Sequence, residues 1–413
     1  MAKIKNIKAR KILNSKGDWT VEVEVETDQG IFFASVPSGT SRGKYEAVEV
    51  EPEKAIENIE KVIAPKLRGE EITDQKKIDE ILIELDGTEN KSRLGANSIL
   101  AVSIACLRAG AAISNLPLFK YISHHFKLAE NSSLPAPCFN ILNGGAHAGN
   151  DLDIQEFMIV PQQKTFKENL RVGVEVYYQL KEILKKKFGE SAINLGDEGG
   201  FAPPLKKTKE ALDLIMEAIK EAEQGEEIRI GLDAAASQFY KQGRYNFEGK
   251  KLTGEELSDF YLNLVKQYPI LFLEDPFSQD DWFSWQSFNQ FSYRERSHTM
   301  VEKGFFVVGD DLTVTSPERI KIAKEKKACN GVIIKPNQIG TVTETFRAAK
   351  LAREFDFKII VSHRSAETCD DFISDLSVGI GADFIKAGAP ARGERVVKYN
   401  RLLEIEESIL RKS

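Results

Sequence analysis

"GVIIKPNQIG", residues 331–340, is a short run of β-branched residues that stops on Lys335 and Pro336. It reads as a strand buried on both faces, yet it ends on an ammonium that is costly to bury unless paired or neutralised. The same pattern recurs through the second half of the chain: "INLGDEGG" (193–200), "IRIGLD" (228–233), "LFLED" (271–275), "FFVVGDD" (305–311), "KIIVSHRS" (358–365) and "ADFIKAGAP" (382–390). Each is an apolar run that stops on a polar or charged residue. Amphipathic segments such as "KTKEALDLIMEAIKEAE", "SPERIKIAKEK" and "TETFRAAKLAREF" lie between several of them, with Ser316 and Pro317 as an N-cap and first-turn pair. Alternating strands and helices predict a parallel sheet. Chemistry at the end of every strand favours a closed α/β barrel, which carries its site at the C-terminal mouth, over an open sheet, which loads only its switch point. No G-x-G-x-x-G opens a helix.

Upstream the style differs. "TVEVEVET" alternates Val21, Val23 and Val25 with glutamates, and "DQG" turns it into "IFFASV", which predicts an antiparallel meander with one wet face. "EKAIENIEKVIAPKL" puts Ile56, Ile59 and Ile63 on one helical face, and "GANSILAVSIACLRAGAA" reads as a buried helix. "KLAENSSLPAPC" is the natural boundary. The expected organisation is an α+β domain over 1–130, with a mobile small-residue loop at 37–44, followed by a barrel domain over 131–413.

The 413 residues, 42% hydrophobic and 29% charged, suffice for two domains and a large core. A net charge of −6 and the lack of a basic run interleaved with aromatics argue against nucleic acid. No signal-like N-terminus and no apolar run of membrane-span length are evident, and Cys106, Cys138, Cys329 and Cys369 form no C-x-x-C pair. A cytoplasmic protein with reduced thiols is expected.

Three groups emerge at the strand ends. Asp233, Glu274 and Asp310 are carboxylates that crowd together if the strands converge, which requires a cation; an all-oxygen set favours Mg²⁺. Lys335, Arg364 and Lys386, with His363 and Ser365 beside the arginine, suit an anionic substrate, and a lysine near a dication and a second lysine is poised to act as a general base. The alternative is that these lysines pair with the acids. Glu198 in the Gly-rich "GDEGGFAPP" offers an acid opposite the lysine, its glycines allowing close backbone approach. "NGGAHAGNDLDIQEFM" adds His147, Gln155 and Glu156, with no role evident from composition. Together these groups suggest proton removal beside a carboxylate.

"LDGTENKSRLGAN", "NGGAHAGN", "QEFMIVP", "GDEGGFAP", "VGDDLTVT", "NQIGT", "SHRS" and "IKAGAPARGER", in that order, resemble the signatures of the enolase (phosphopyruvate hydratase) family over nearly the whole chain. The resemblance implies an N-terminal α+β domain and an eight-stranded barrel that begins ββαα. It implies reversible dehydration of 2-phosphoglycerate to phosphoenolpyruvate in glycolysis and gluconeogenesis by a homodimer. Asp233, Glu274 and Asp310 would hold a tight Mg²⁺, and Ser41 would close over the site and help hold a second. Lys335 would take the C2 proton, and Glu198, assisted by Glu156, would protonate the leaving hydroxyl. Arg364 and Ser365 would bind phosphate, Lys386 the carboxylate side, and His147 and Gln155 would line the substrate.

The chain departs from that pattern at "NSKGDWT" (14–20), at "EAVEVEP" (46–52), at Ala366, and in a long 277–305 segment; the region before "IRIGLD" is short. The N-terminal departures fall where the resemblance puts subunit contacts, away from the assigned catalytic residues. Another acid dehydratase or a racemase of the superfamily would be expected to carry Lys-x-Lys where "NLGDEGG" stands. A non-catalytic binding or structural relative would be expected to have lost site residues, and the assigned positions retain them.

Overall fold

The computed structural model describes residues 2–39, 42–126, 133–223, 227–295 and 304–411. The N-terminal meander forms as its alternation predicts. Strands β1 (Asn6–Leu13), β2 (Trp19–Thr27) and β3 (Gly30–Ser35) pair antiparallel in that order. Val21, Val23 and Val25 are wholly buried, while Glu22 and Glu24 face Arg10 and Lys8 across the wet side. The buried face packs on the helix Ala96–Ile113, whose apolar surface runs nearly all round. That helix corrects one expectation. Among the described residues it is long and apolar enough to cross a membrane, but 83% of it is buried inside the protein, as a core helix.

The domains are joined by buried polar contacts. Asp79, on the helix Gln75–Asp86, accepts from Ser103 Oγ at 2.6 Å and from the Thr343 amide and hydroxyl at 2.9 and 2.6 Å. Thr343 opens a barrel helix, Val342–Glu354.

The barrel contains β4 (Ala136–Asn143), β5 (Glu156–Pro161), β6 (Ile228–Asp233), β10 (Ile270–Glu274), β11 (Phe306–Gly309), β12 (Gly331–Ile334), β13 (Lys358–Ser362) and β14 (Phe384–Lys386), closed by β14 pairing with β4. A small antiparallel sheet, β7 (Tyr240–Lys241), β8 (Arg244–Phe247) and β9 (Lys250–Leu252), follows β6. All barrel pairings are parallel except two: β5 runs antiparallel to both β4 and β6. Two helices, Phe166–Phe188 and Thr208–Glu221, then precede β6, giving the ββαα opening.

The wholly parallel sheet read from the strand ends is therefore corrected at β5. The "INLGDEGG" segment is also not a barrel strand. It is a connection between the two helices that meets β4 through the Asn140 side chain on Glu198 and, just beyond its end, an isolated bridge from Leu142 to Phe201. Its glycines serve the protein's own backbone: a Cβ on Gly196 would lie 2.6 Å from the His147 carbonyl, and one on Gly200 2.6 Å from Asn143 Oδ1.

The barrel interior is filled from below by Phe272, Phe306 and Phe384, with ring centroids 5.4 to 6.4 Å apart. Gly231 makes room for them, since a Cβ there would approach the Phe272 ring to 2.3 Å. Side-chain filling of this kind makes the barrel a packed core that leaves only its mouth for chemistry.

Candidate active site

Seven of the eight barrel strands deliver polar groups to one mouth with their C-terminal ends. Asn143 ends β4, Asp233 ends β6, Glu274 ends β10 and Lys386 ends β14; Asp310 and Lys335 stand one residue beyond β11 and β12, and His363 one beyond β13. The antiparallel β5 delivers its first residue instead. Its register sets Glu156 opposite both Asn143 and Asp233. Asp233, Asp310, Lys335, His363, Lys386 and Glu156, with Glu198, His147, Gln155, Arg364 and Ser365, line one small cavity at this mouth. The structure thus brings together all of the predicted site residues except Glu274, which lies against Lys386 just beneath, and Ser41, which falls outside the described residues.

One half of the mouth is a lattice of acids and lysines. Lys386 Nζ lies 2.8 Å from both Glu274 oxygens, 3.2 Å from Glu156 Oε2 and 3.6 Å from Asp233 Oδ2. Lys335 pairs with Asp310 Oδ2, and Gln338 Nε2 donates to Asp310 Oδ1 at 2.8 Å. The sequence argument expected a lowered pKa for Lys335. In this structure Asp310 raises it, against burial and the charges of Lys386 and Arg364. The lysine–acid pairs of the salt-bridge alternative are therefore present at the mouth. Burial, with neighbouring carboxylates, pushes Glu156, Glu274 and Asp233 above the usual carboxylate range.

That electrostatic state bears on the metal. Asp233, Glu274 and Asp310 offer only oxygens, on adjacent strands, and burial raises two of the three above the usual carboxylate range. Two lysines do not neutralise Asp233, Glu274, Asp310, Glu156 and Glu198 together. The donor set fits a hard divalent ion such as Mg²⁺. Tighter clusters, with ligand atoms within 4.8 Å of one another, also occur: His147–Glu156–Glu198 and Asp275–Asp310–Asp311. In the second, Asp275 accepts the Asp310 and Asp311 amides at 2.9 and 2.7 Å, which is the work of a turn cap.

The other half is built from neutral donors. Asn140 Nδ2 donates to Glu198 Oε2 at 2.9 Å, while His363 Nε2 lies 3.2 Å and His147 Nδ1 3.6 Å from Glu198 Oε1. Burial lowers both rings, His363 to about 4, so they are neutral at pH 7. Burial pushes the Glu198 carboxyl up, but the two histidines and the Arg395 guanidinium outweigh it and hold it well below the usual range.

Arg364 forks onto Glu46, Nη1 to Oε2 at 2.8 Å and Nη2 to Oε1 at 3.3 Å, and also donates to Asn337 Oδ1 at 3.0 Å. Glu46 accepts from the Gly43 amide at 2.8 Å, so the end of the 37–44 segment is tied to the anion site. Glu46 had no role in the sequence reading; its 318-residue separation from Arg364 leaves no local signal. His363 and Asn140 acquire their positions relative to Glu198 only in the folded barrel.

The "NSKGDWT" departure lies closer to the chemistry than its expected place at a subunit contact. The Ser15 amide donates to the Glu367 carbonyl at 2.7 Å, Ser15 Oγ to the Ser365 carbonyl at 3.3 Å, and Lys16 Nζ pairs with Asp197 Oδ2 at 2.7 Å, beside Glu198.

A closed barrel opening ββαα, preceded by an α+β domain and gathering carboxylates, lysines and an arginine at its mouth, defines the enolase superfamily class. Residues 4–122 match the family model for the enolase N-terminal domain, and residues 131–413 match that for the enolase C-terminal TIM barrel domain. The chain belongs to the enolase family.

Proposed function

We propose that the protein catalyses the reversible dehydration of 2-phosphoglycerate to phosphoenolpyruvate, as a cytoplasmic homodimer in glycolysis and gluconeogenesis. The observation that carries the reading is the opposition, across one mouth, of Lys335 to the closely paired carboxyls of Glu156 and Glu198. Mg²⁺ held by Asp233, Glu274 and Asp310, with a second ion assisted by Ser41, would supply charge stabilisation to the carbanion's carboxylate.

The residues divide the work. Arg364 and Ser365 bind the phosphate, Lys386 faces the carboxylate side, and His147 and Gln155 line the substrate. A cation held by Asp310 would take that carboxylate's charge away from Lys335, while burial, Lys386 and Arg364 push the lysine's pKa down. Neutral Lys335 then takes the C2 proton. The C3–O bond breaks as the C2–C3 double bond forms, and the acid pair gives the departing hydroxide its proton, releasing water. Reversal runs through the same groups.

The test is direct. Purified protein is assayed for phosphoenolpyruvate from 2-phosphoglycerate with and without Mg²⁺. Turnover that requires Mg²⁺ is expected; none in either condition overturns the reading. A panel of unphosphorylated hydroxy acids should give no product. Sedimentation at micromolar concentration checks the assembly, and a clean 46.3 kDa monomer would refute the dimer.

A further inference from the structure

Arg395 is the largest charged side chain wholly removed from solvent. Its stem packs on Gly388, where a Cβ would approach Arg395 Cδ to 2.9 Å and the Glu198 carbonyl to 2.7 Å. At its head, Nη1 contacts His363 Nδ1 at 2.6 Å and donates to the Arg364 carbonyl at 2.7 Å. Nη2 donates to the Ser365 carbonyl at 2.6 Å and the Asp197 carbonyl at 3.0 Å. One buried cation therefore grips the backbone on both sides of the anion site and the residue preceding Glu198.

Three of those acceptors are carbonyls, which any structural arginine could serve. The fourth is a ring nitrogen. A guanidinium has donors and no acceptor, so the partner it approaches at Nδ1 must be a bare lone pair. The single proton of the neutral ring is then on Nε2, the atom 3.2 Å from Glu198 Oε1.

We propose that Arg395 is a positioning residue for the acid half of the site: it fixes His363 as the Nε2–H tautomer. His363 thereby keeps its N–H on the side that faces Glu198 Oε1, 3.2 Å away, and has no free lone pair there to take a proton from it. The consequence for turnover rests on the dehydration reading above; the tautomer does not.

Ring ¹⁵N chemical shifts test the tautomer without substrate or metal. The chain has five histidines, and a His363→Gln variant assigns the signal. The wild type is expected to show a bare Nδ1 and a protonated Nε2, unchanged between pH 5.5 and 8. Arg395→Met, which keeps the stem and loses the donors, should mix the tautomers or flip them. Arg395→Lys, a donor with no acceptor, should restore the wild-type signal. A wild-type ring protonated on Nδ1, or a Met variant that melts like wild type and keeps the Nε2–H form, overturns the proposal. If the Met variant does not fold, the wild-type and Lys spectra decide it.

Under the dehydration reading, Arg395→Met should lower kcat about 10–100-fold with little change in KM, while C2 proton exchange persists. A wild type inactive on 2-phosphoglycerate but showing the Nε2–H form would overturn the reaction and leave the tautomer standing.

Discussion

Asp233 and His363 lie at the same mouth, 4% and 2% exposed, yet burial moves their protons in opposite directions. Burial disfavours whichever form is charged, so it raises the Asp233 carboxyl and lowers the His363 ring to about 4. The two halves of the site follow that division. The strand-end half, Asp233, Glu274 and Glu156 around Lys386, holds protons above the usual carboxylate range. The loop half, Glu198 with His147 and His363, sheds them. An elimination uses both: carboxylates beside the base lysine on one side, and on the other neutral rings that stay out of proton traffic beside Glu198.

The sharpest way to break this division is to remove one group from each half. Lys335→Ala should abolish phosphoenolpyruvate formation and also the exchange of the C2 proton with solvent, with losses of ~10²–10⁴-fold or more. Glu198→Gln should block product formation to a similar degree yet leave C2 exchange, because Lys335 and Lys386 remain in place. Deuterium wash-in at C2 of 2-phosphoglycerate measures both. Exchange retained in the lysine variant and lost in the glutamate variant would reverse the roles.

Metal binding probes the proton-holding half alone. Burial and neighbouring carboxylates raise Glu274 and Asp233, so Mg²⁺ binding should be accompanied by proton release that grows as pH falls, read by pH-stat or by calorimetry in buffers of different ionisation enthalpy. Chelator should lower the melting temperature and abolish turnover, and Mg²⁺ should restore both. Asp310→Asn should weaken Mg²⁺ binding. Binding without proton release would show that the acids are already ionised and the two halves less different than burial implies.

How far the halves were legible from the sequence follows from how they are built. A parallel strand announces itself as an apolar run and delivers its next residue to the mouth, so Asp233, Asp310, Lys335 and Lys386 could be placed from local pattern alone. Glu156 begins an antiparallel strand, so the same rule does not find it. The short "EFMIVP" run, with no room for a crossover helix between it and "APCFNILN", was the available signal. The Gly-rich stretch points to Glu198 as a loop acid, but Gly196 and Gly200 make room for the His147 carbonyl and Asn143 and not for a ligand. Glu46 on Arg364 and Arg395 on His363 depend on contacts between distant segments, for which a single sequence carries no signal.

The proton-shedding half has its own signature in stability. His363 goes from an ordinary 6.5 in the unfolded chain to about 4 in the fold. Between those values the unfolded state binds the extra proton. Its contribution, about 3 kcal/mol, is therefore complete above pH 6.5 and is lost as pH falls toward 4. His363→Gln, which can still accept from Arg395 and donate to Glu198, should unfold with a shallower pH dependence. From pH 7.5 to 5.5 the wild type should lose about 1.4 kcal/mol more than the variant in urea unfolding. Parallel curves would mean that His363 titrates normally and belongs with the other half.

The smallest effect should come from the N-terminal departure, and it asks whether the loop half can be perturbed alone. Lys16 reaches Asp197 at 2.7 Å, with the two side chains 30% and 25% exposed. A partly exposed pair of this kind contributes about 0.2–1 kcal/mol, so its loss should cost no more than roughly fivefold in rate. Asp197 precedes Glu198 and lies outside the lattice of Lys335, Lys386 and their acids. Lys16→Ala should therefore slow product formation while leaving C2 exchange nearly untouched, and the deficit should shrink as salt screens the wild-type pair. Lys16→Arg should restore the rate. An equal fall in both reactions would mean that the 14–18 turn supports the whole mouth. No change in either would leave the pair as a contact between loops with no hold on Glu198.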